Sequence, residues 1–161
     1  MPSRRGFTLF EVLIVVTIIT VVAASSIYFG IDSLRAYAFH SDRDLLVAAL
    51  QHARAEAVGN ICQTNSDSTC TDGRSHGVHV SGDTITIFQT SATILDYAHR
   101  DVSADAPITM SARTTFTGAP DVIFAQLSGD VPVPGSMTLT ESSGKTTTIT
   151  IGGEGQILWT N

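Results

Sequence analysis

The chain has 161 residues, with nine Lys and Arg against fifteen Asp and Glu, a formal net charge of −6, and two cysteines. That length suits one domain plus a further element. The acidic balance argues against a broadly basic nucleic-acid-binding surface, and without residues 1–6, which carry Arg4 and Arg5, the balance falls to −8.

Residues 1–6 are too short to fold and read as a leader. Residues 12–31 then run for 20 residues without a formal charge. As a helix rising about 1.5 Å per residue, they span roughly 30 Å, the thickness of a bilayer's hydrocarbon core. Val, Ile and Thr lower helix propensity in water, but in lipid a helix satisfies every backbone group, so residues 7–30 are expected to cross the membrane. Arg4 and Arg5 precede the run, while Asp32 and Arg35 follow it. The positive-inside tendency places the N-terminus in the cytoplasm and the rest of the chain outside. A cleavable secretory signal is the competing reading, with a small-residue site at Ala23-Ala24-Ser25-Ser26. The length of the run and the carboxylate of Glu11 near its start oppose it.

No proline falls between Pro2 and Pro107, so the helix is expected to continue through residues 31–58 as an amphipathic half. Its apolar stripe is Ile31, Leu34, Ala38, Leu45, Ala49, Ala53 and Ala57, with Asp32, Arg35, Asp42, Arg43, Arg54 and Glu56 on the remainder. Gly59-Asn60 is a stop signal. Residues 60–75 read as a polar loop holding Cys62 and Cys70. Outside the cytoplasm, in so short a loop, these two are expected to form a disulfide worth roughly 2.5 kcal/mol, with two free thiols as the alternative. No further ligands stand at zinc spacing, so no metal or cofactor is expected.

Period-2 segments follow at 77–80 and 84–90, joined by a hairpin signal at Ser81-Gly82-Asp83. Further strands are predicted at 108–112, 122–125, 137–141, 146–151 and 156–159, with turns at 142–145 and 152–155 and an exposed loop at 128–136. Residues 59–161 thus read as an extracytoplasmic antiparallel β domain, and the whole as an α+β chain whose amphipathic stripe packs on a sheet face.

Gly6-Phe7-Thr8-Leu9-Phe10-Glu11, ahead of the apolar run, resembles the prepilin processing motif of the type IV pilin and pseudopilin superfamily. The resemblance implies that prepilin peptidase cuts between Gly6 and Phe7, that Phe7 is N-methylated, and that Glu11 serves assembly and register. The physical logic of Glu11 stands beside it. A free amine on Phe7 is a cation at the membrane edge, and pairing it with Glu11 of a neighbouring subunit neutralises both in low dielectric.

Ala53-Arg54-Ala55-Glu56-Ala57, Gly77-Val78 and the final glycine-turn strand at 152–159 resemble GspH/FimT-type minor pseudopilins and minor pilins. The implied chain is a structural subunit of a type IV pilus or type II secretion pseudopilus. Its implied partners are other pilin subunits and an inner-membrane assembly platform. Its implied location is a single-pass inner-membrane protein that passes into a filament. The alternative is a DNA- or surface-binding minor pilin of a competence or adhesion filament. Against nucleic acid, Gly153-Glu154-Gly155-Gln156 carries an acid and no arginine.

An enzyme has no positive feature here. Neither Gly-x-Ser-x-Gly nor His-Glu-x-x-His is present. His76 and His79 would point to opposite faces of one strand, and His40 and His52 lie too far apart on the helix to meet. All are expected to be surface histidines, and Trp159 to plug the core.

Overall fold

Helix α1 runs from Leu9 to Val58, and the computed structural model describes residues 8–63, 73–91, 93–111 and 113–160, with the backbone alone at 26–32. Thr8 caps the helix start: its carbonyl and its Oγ1 both accept the Glu11 N–H, at 3.1 and 3.3 Å. A hydroxyl at that position satisfies a first-turn donor that has no partner within the helix. Phe7, the expected first helical residue, lies outside the described residues. At the other end Ile61 N–H bonds the Glu56 carbonyl at 3.0 Å and Asn60 N–H bonds Ala57 at 3.2 Å. Asn60 takes φ 51, so it is Asn60 that turns left-handed and closes a Schellman stop one residue after Gly59.

The chain divides into two compact units, Met1–Ala38 and Phe39–Asn161. In the first, every described side chain of residues 8–25 is exposed. The second holds the last five turns of α1 and eight strands: β1 (Arg74–Ser81), β2 (Thr84–Ser91), β3 (Ala106–Thr109), β4 (Thr114–Gly118), β5 (Asp121–Phe124), β6 (Gly135–Glu141), β7 (Thr146–Ile151) and β8 (Ile157–Thr160). They form two antiparallel sheets, ordered β3-β2-β1-β5 and β4-β6-β7-β8. The α+β class with a helix on antiparallel sheets is as expected.

One core joins all three layers. Phe39, Leu46, Leu50 and Ala53 of α1 meet Val78, Ile85 and Phe124 of the first sheet and Met137, Leu139 and Ile149 of the second. Ala49, Ala53 and Ala57, four apart, line one buried face of the helix. The expected stripe needs correction. Leu34 is 70% exposed, Ile31 lies outside the described side chains, and Phe39, Leu46 and Leu50 take the buried positions instead. Asp42 and Glu56, assigned to the polar face, are buried.

Burial of Asp42 has a structural return. Its Oδ1 accepts the Ser111 N–H at 2.9 Å and its Oδ2 accepts the Thr114 hydroxyl. The carboxylate thus ties α1 to the crossing between β3 and β4, where the chain leaves one sheet for the other. Strand β4 was not expected from the sequence, because Thr114-Thr115-Phe116-Thr117-Gly118 offers a single large apolar residue. Its pairing with β6 over residues 137–141 makes it a strand. The loop expected to be exposed at 128–136 buries Val131, whose N–H bonds the Gly153 carbonyl at 2.8 Å. Trp159 is 47% exposed, on edge strand β8 rather than in the core.

The outer face of the first sheet is also covered. Gly77 has no room for a side chain, since a Cβ there would stand 2.6 Å from the Phe88 ring. Tyr97 lies edge-on to Phe88, stacks on His79 at 3.7 Å between centroids, and carries the Arg100 guanidinium 3.9 Å above its other face. Asp121 anchors the stack through His79 Nδ1 at 2.5 Å, and Asp105 anchors Arg100 at 2.9 Å.

Candidate functional site

The N-terminal motif is read from Thr8 onward, since Gly6 and Phe7 lie outside the described residues. Glu11 stands in the first turn of α1 with its side chain exposed, and no ion pair to it is found among the described residues. There the helix dipole favours its negative charge. Around it Leu9 (85% exposed), Phe10, Val12, Leu13 and Ile14 expose apolar surface on every side of the helix. The hydroxyls within this run turn inward on the helix: Thr17 donates to the Ile14 carbonyl at 2.7 Å, Thr20 to Thr17 at 2.8 Å and Ser25 to Val22 at 2.9 Å. Glu11 is the charged exception in a surface that satisfies its own polar groups. Among the described residues, no helix is long and apolar enough to cross a membrane.

A second polar cluster closes the far end of α1. Glu56 and His76 are buried, and Glu56 Oε2 lies 3.2 Å from His76 Nδ1 and 3.5 Å from His52 Nδ1. His76 Nε2 donates to the Ile61 carbonyl at 2.7 Å, and Glu56 Oε1 accepts the Gln63 amide. Gln89 grips the Gln63 backbone from both sides and donates to Asp101 at 3.0 Å. The Ser103 hydroxyl beside Asp101, with the Gln89 amide, the Ser103 N–H and the nearby Arg74 charge, holds its carboxyl below the usual aspartate range. The cluster fixes the segment carrying Cys62, which is disulfide-bonded; Cys70 lies outside the described residues.

The first 27 residues match the prokaryotic N-terminal methylation motif. No curated protein matches the sequence significantly. Among solved structures the chain is similar to the minor pseudopilin EpsH from the Type 2 Secretion System of Vibrio cholerae, at 15% identity and a TM-score of 0.48, over 74% of this chain and 93% of that one.

Sequence reasoning missed the Glu56 cluster. His76 was expected at the surface and is 1% exposed, because it pairs across the sheet with Gln89 on the core-facing side. The detectable sign was Glu56 within one helical turn of the stop, at a point where the apolar stripe was already due to be buried. Among the described residues no group of three or more His, Cys, Asp or Glu is arranged to hold a metal ion.

The C-terminal turn also differs from expectation. It has no arginine of its own, but Arg54 reaches it from α1 and donates to the Glu154 carbonyl at 3.1 Å. Gly155, at φ +71, could not carry a side chain there, since a Cβ would meet the Gly129 carbonyl at 2.1 Å and Arg54 Nε at 2.8 Å. Arg54 therefore serves as a tie between helix and turn.

Proposed function

We propose that this chain is a minor pilin or pseudopilin, inserted N-in, cut by prepilin peptidase between Gly6 and Phe7, N-methylated on Phe7 and assembled through its N-terminal helix. The carrying observation is Glu11: a carboxylate without an ion pair among the described residues, set in a helix surface that is otherwise apolar and self-satisfied. In a membrane or a helical filament core such a charge is costly until an opposite charge meets it. The amine of a neighbour's Phe7 supplies that charge and sets the axial register. Residues 7–30 then lie in the bilayer, the unit from Phe39 lies outside the cytoplasm, and Cys62 pairs with Cys70 in the oxidising compartment. The inner-membrane platform and other pilin subunits are the assembly partners.

The test is the mass and N-terminal sequence of the protein isolated from its own cell envelope. A chain beginning at N-methylated Phe7 is the expected result. A chain beginning at Met1 or near Ser25 would overturn the proposal. Replacing Glu11 by Ala should leave the β domain folded and impair incorporation into filaments; unchanged incorporation would reject the register role.

A further inference from the structure

Strand β5 is an outer strand of its sheet, and its free side is unusual. Val80 N–H donates to the Pro120 carbonyl at 2.9 Å, and the register continues through Val78↔Val122 and His76↔Phe124. Hydrogen-bonded pairs alternate in an antiparallel ladder, so Val122 and Phe124 bond inward to β1. Asp121 and Ile123 therefore turn their N–H and C=O groups outward, and no partner for these is found among the described residues.

The chain then folds back beside this edge. Ala125 N–H bonds the Asp130 carbonyl at 2.7 Å, the first rung of a hairpin. Continued in that register, the returning segment sets Pro132 opposite Ile123 and Pro134 opposite Asp121. Those are the positions from which N–H groups would enter the edge, and proline has none. The hairpin stops after its first rung. A cleft of about 320 Å³ remains, lined by Leu95, Pro120, Asp121, Ile123, Pro132 and Val133. Its mouth is apolar, with Val133 79% exposed.

We propose that this edge docks an extended segment of a partner polypeptide, which adds to the sheet as a fifth strand beside β5. Open backbone groups of Asp121 and Ile123 ask for a strand, and the cleft asks for apolar side chains at alternate positions. Neither Lys nor Pro within β5 blunts the edge, although natural edges usually carry such protection. Asp130 is exposed beside it in a chain of net charge −6, which complements a segment flanked by lysines. This surface is independent of the N-terminal motif.

The experiment uses the full chain in detergent micelles and the synthetic peptide Lys-Val-Thr-Val-Thr-Val-Lys, with Lys-Val-Pro-Val-Pro-Val-Lys as control, read by site-resolved amide hydrogen exchange. In the free protein, Asp121 and Ile123 should exchange at least about tenfold faster than Val122 and Phe124. The first peptide should slow Ile123 by about tenfold or more, and the proline control should not. Ile123→Pro removes an outward donor alone and should abolish the effect while the melting temperature holds. Should that variant unfold, Val133→Asp, altering an exposed wall, should weaken peptide binding in its place. Slow exchange at Ile123 in the free chain, equal protection by both peptides, or binding that survives in a folded Ile123→Pro or Val133→Asp variant would overturn the proposal. Protection that rises with protein concentration alone would assign the edge to a second copy and overturn it too.

Discussion

Two buried or half-buried aspartates show how single side chains hold this fold. Asp42 accepts from Ser111 and Thr114 at the crossing between the sheets. Replacing it with Ala leaves a buried donor without an acceptor, and chemical denaturation should show a loss of about 1–3 kcal/mol. Asp101 makes a pH-dependent contribution. Its carboxyl titrates below the ordinary value because Ser103, Gln89 and Arg74 favour the charged form. A depressed folded value means the stabilisation is complete above the unfolded aspartate pKa of about 3.9 and is lost as pH falls through the folded value. Stability measured against pH should therefore fall less steeply below about pH 4 in Asp101→Asn than in the parent. An identical acid limb in both would reject that role. Asp42 was not distinguishable from a solvated residue in the sequence, because Ser111 and Thr114 lie far away along the chain; Asp101 draws on neighbouring Ser103 as well as on the more distant Gln89 and Arg74.

At the scale of elements, α1 behaves as two different helices in one. Up to Ser25 its described side chains are exposed and, apart from Glu11 and a few hydroxyls, apolar, whereas from Phe39 it presents both small and large apolar residues to two sheets. Ala53 is fully buried in the core. Enlarging it to Leu should overpack the core and cost about 1–3 kcal/mol in a thermal or denaturant melt. Leu34→Ala, at an exposed position, should leave the same melt nearly unchanged. The helix stop was readable from Gly59-Asn60, and the β1–β2 and β6–β7 hairpins from their turn residues and alternation. Strand β4 and the buried Val131 were not, since each owes its place to a partner strand or turn rather than to its own composition.

At the scale of the molecule, the reading of this chain as a filament subunit joins an N-terminal motif to a β domain clamped at the helix end. The clamp includes the disulfide at Cys62. If Cys70 is its partner, reduction should lower the stability of the β domain by roughly 2.5 kcal/mol in the chain-entropy model, and nonreducing mass analysis should show two thiol hydrogens missing. A melt that is indifferent to reductant would reject that contribution. The sequence alone determined the N-terminal methylation motif, the long helix and the antiparallel β class, because each is a local pattern: a charge step, an uncharged run, a period of two. Tertiary structure decided which carboxylates are buried, which histidine joins Glu56, where Arg54 reaches and that β5 keeps an open edge. Those outcomes depend on which distant residues meet, and no periodicity along a single chain records such meetings.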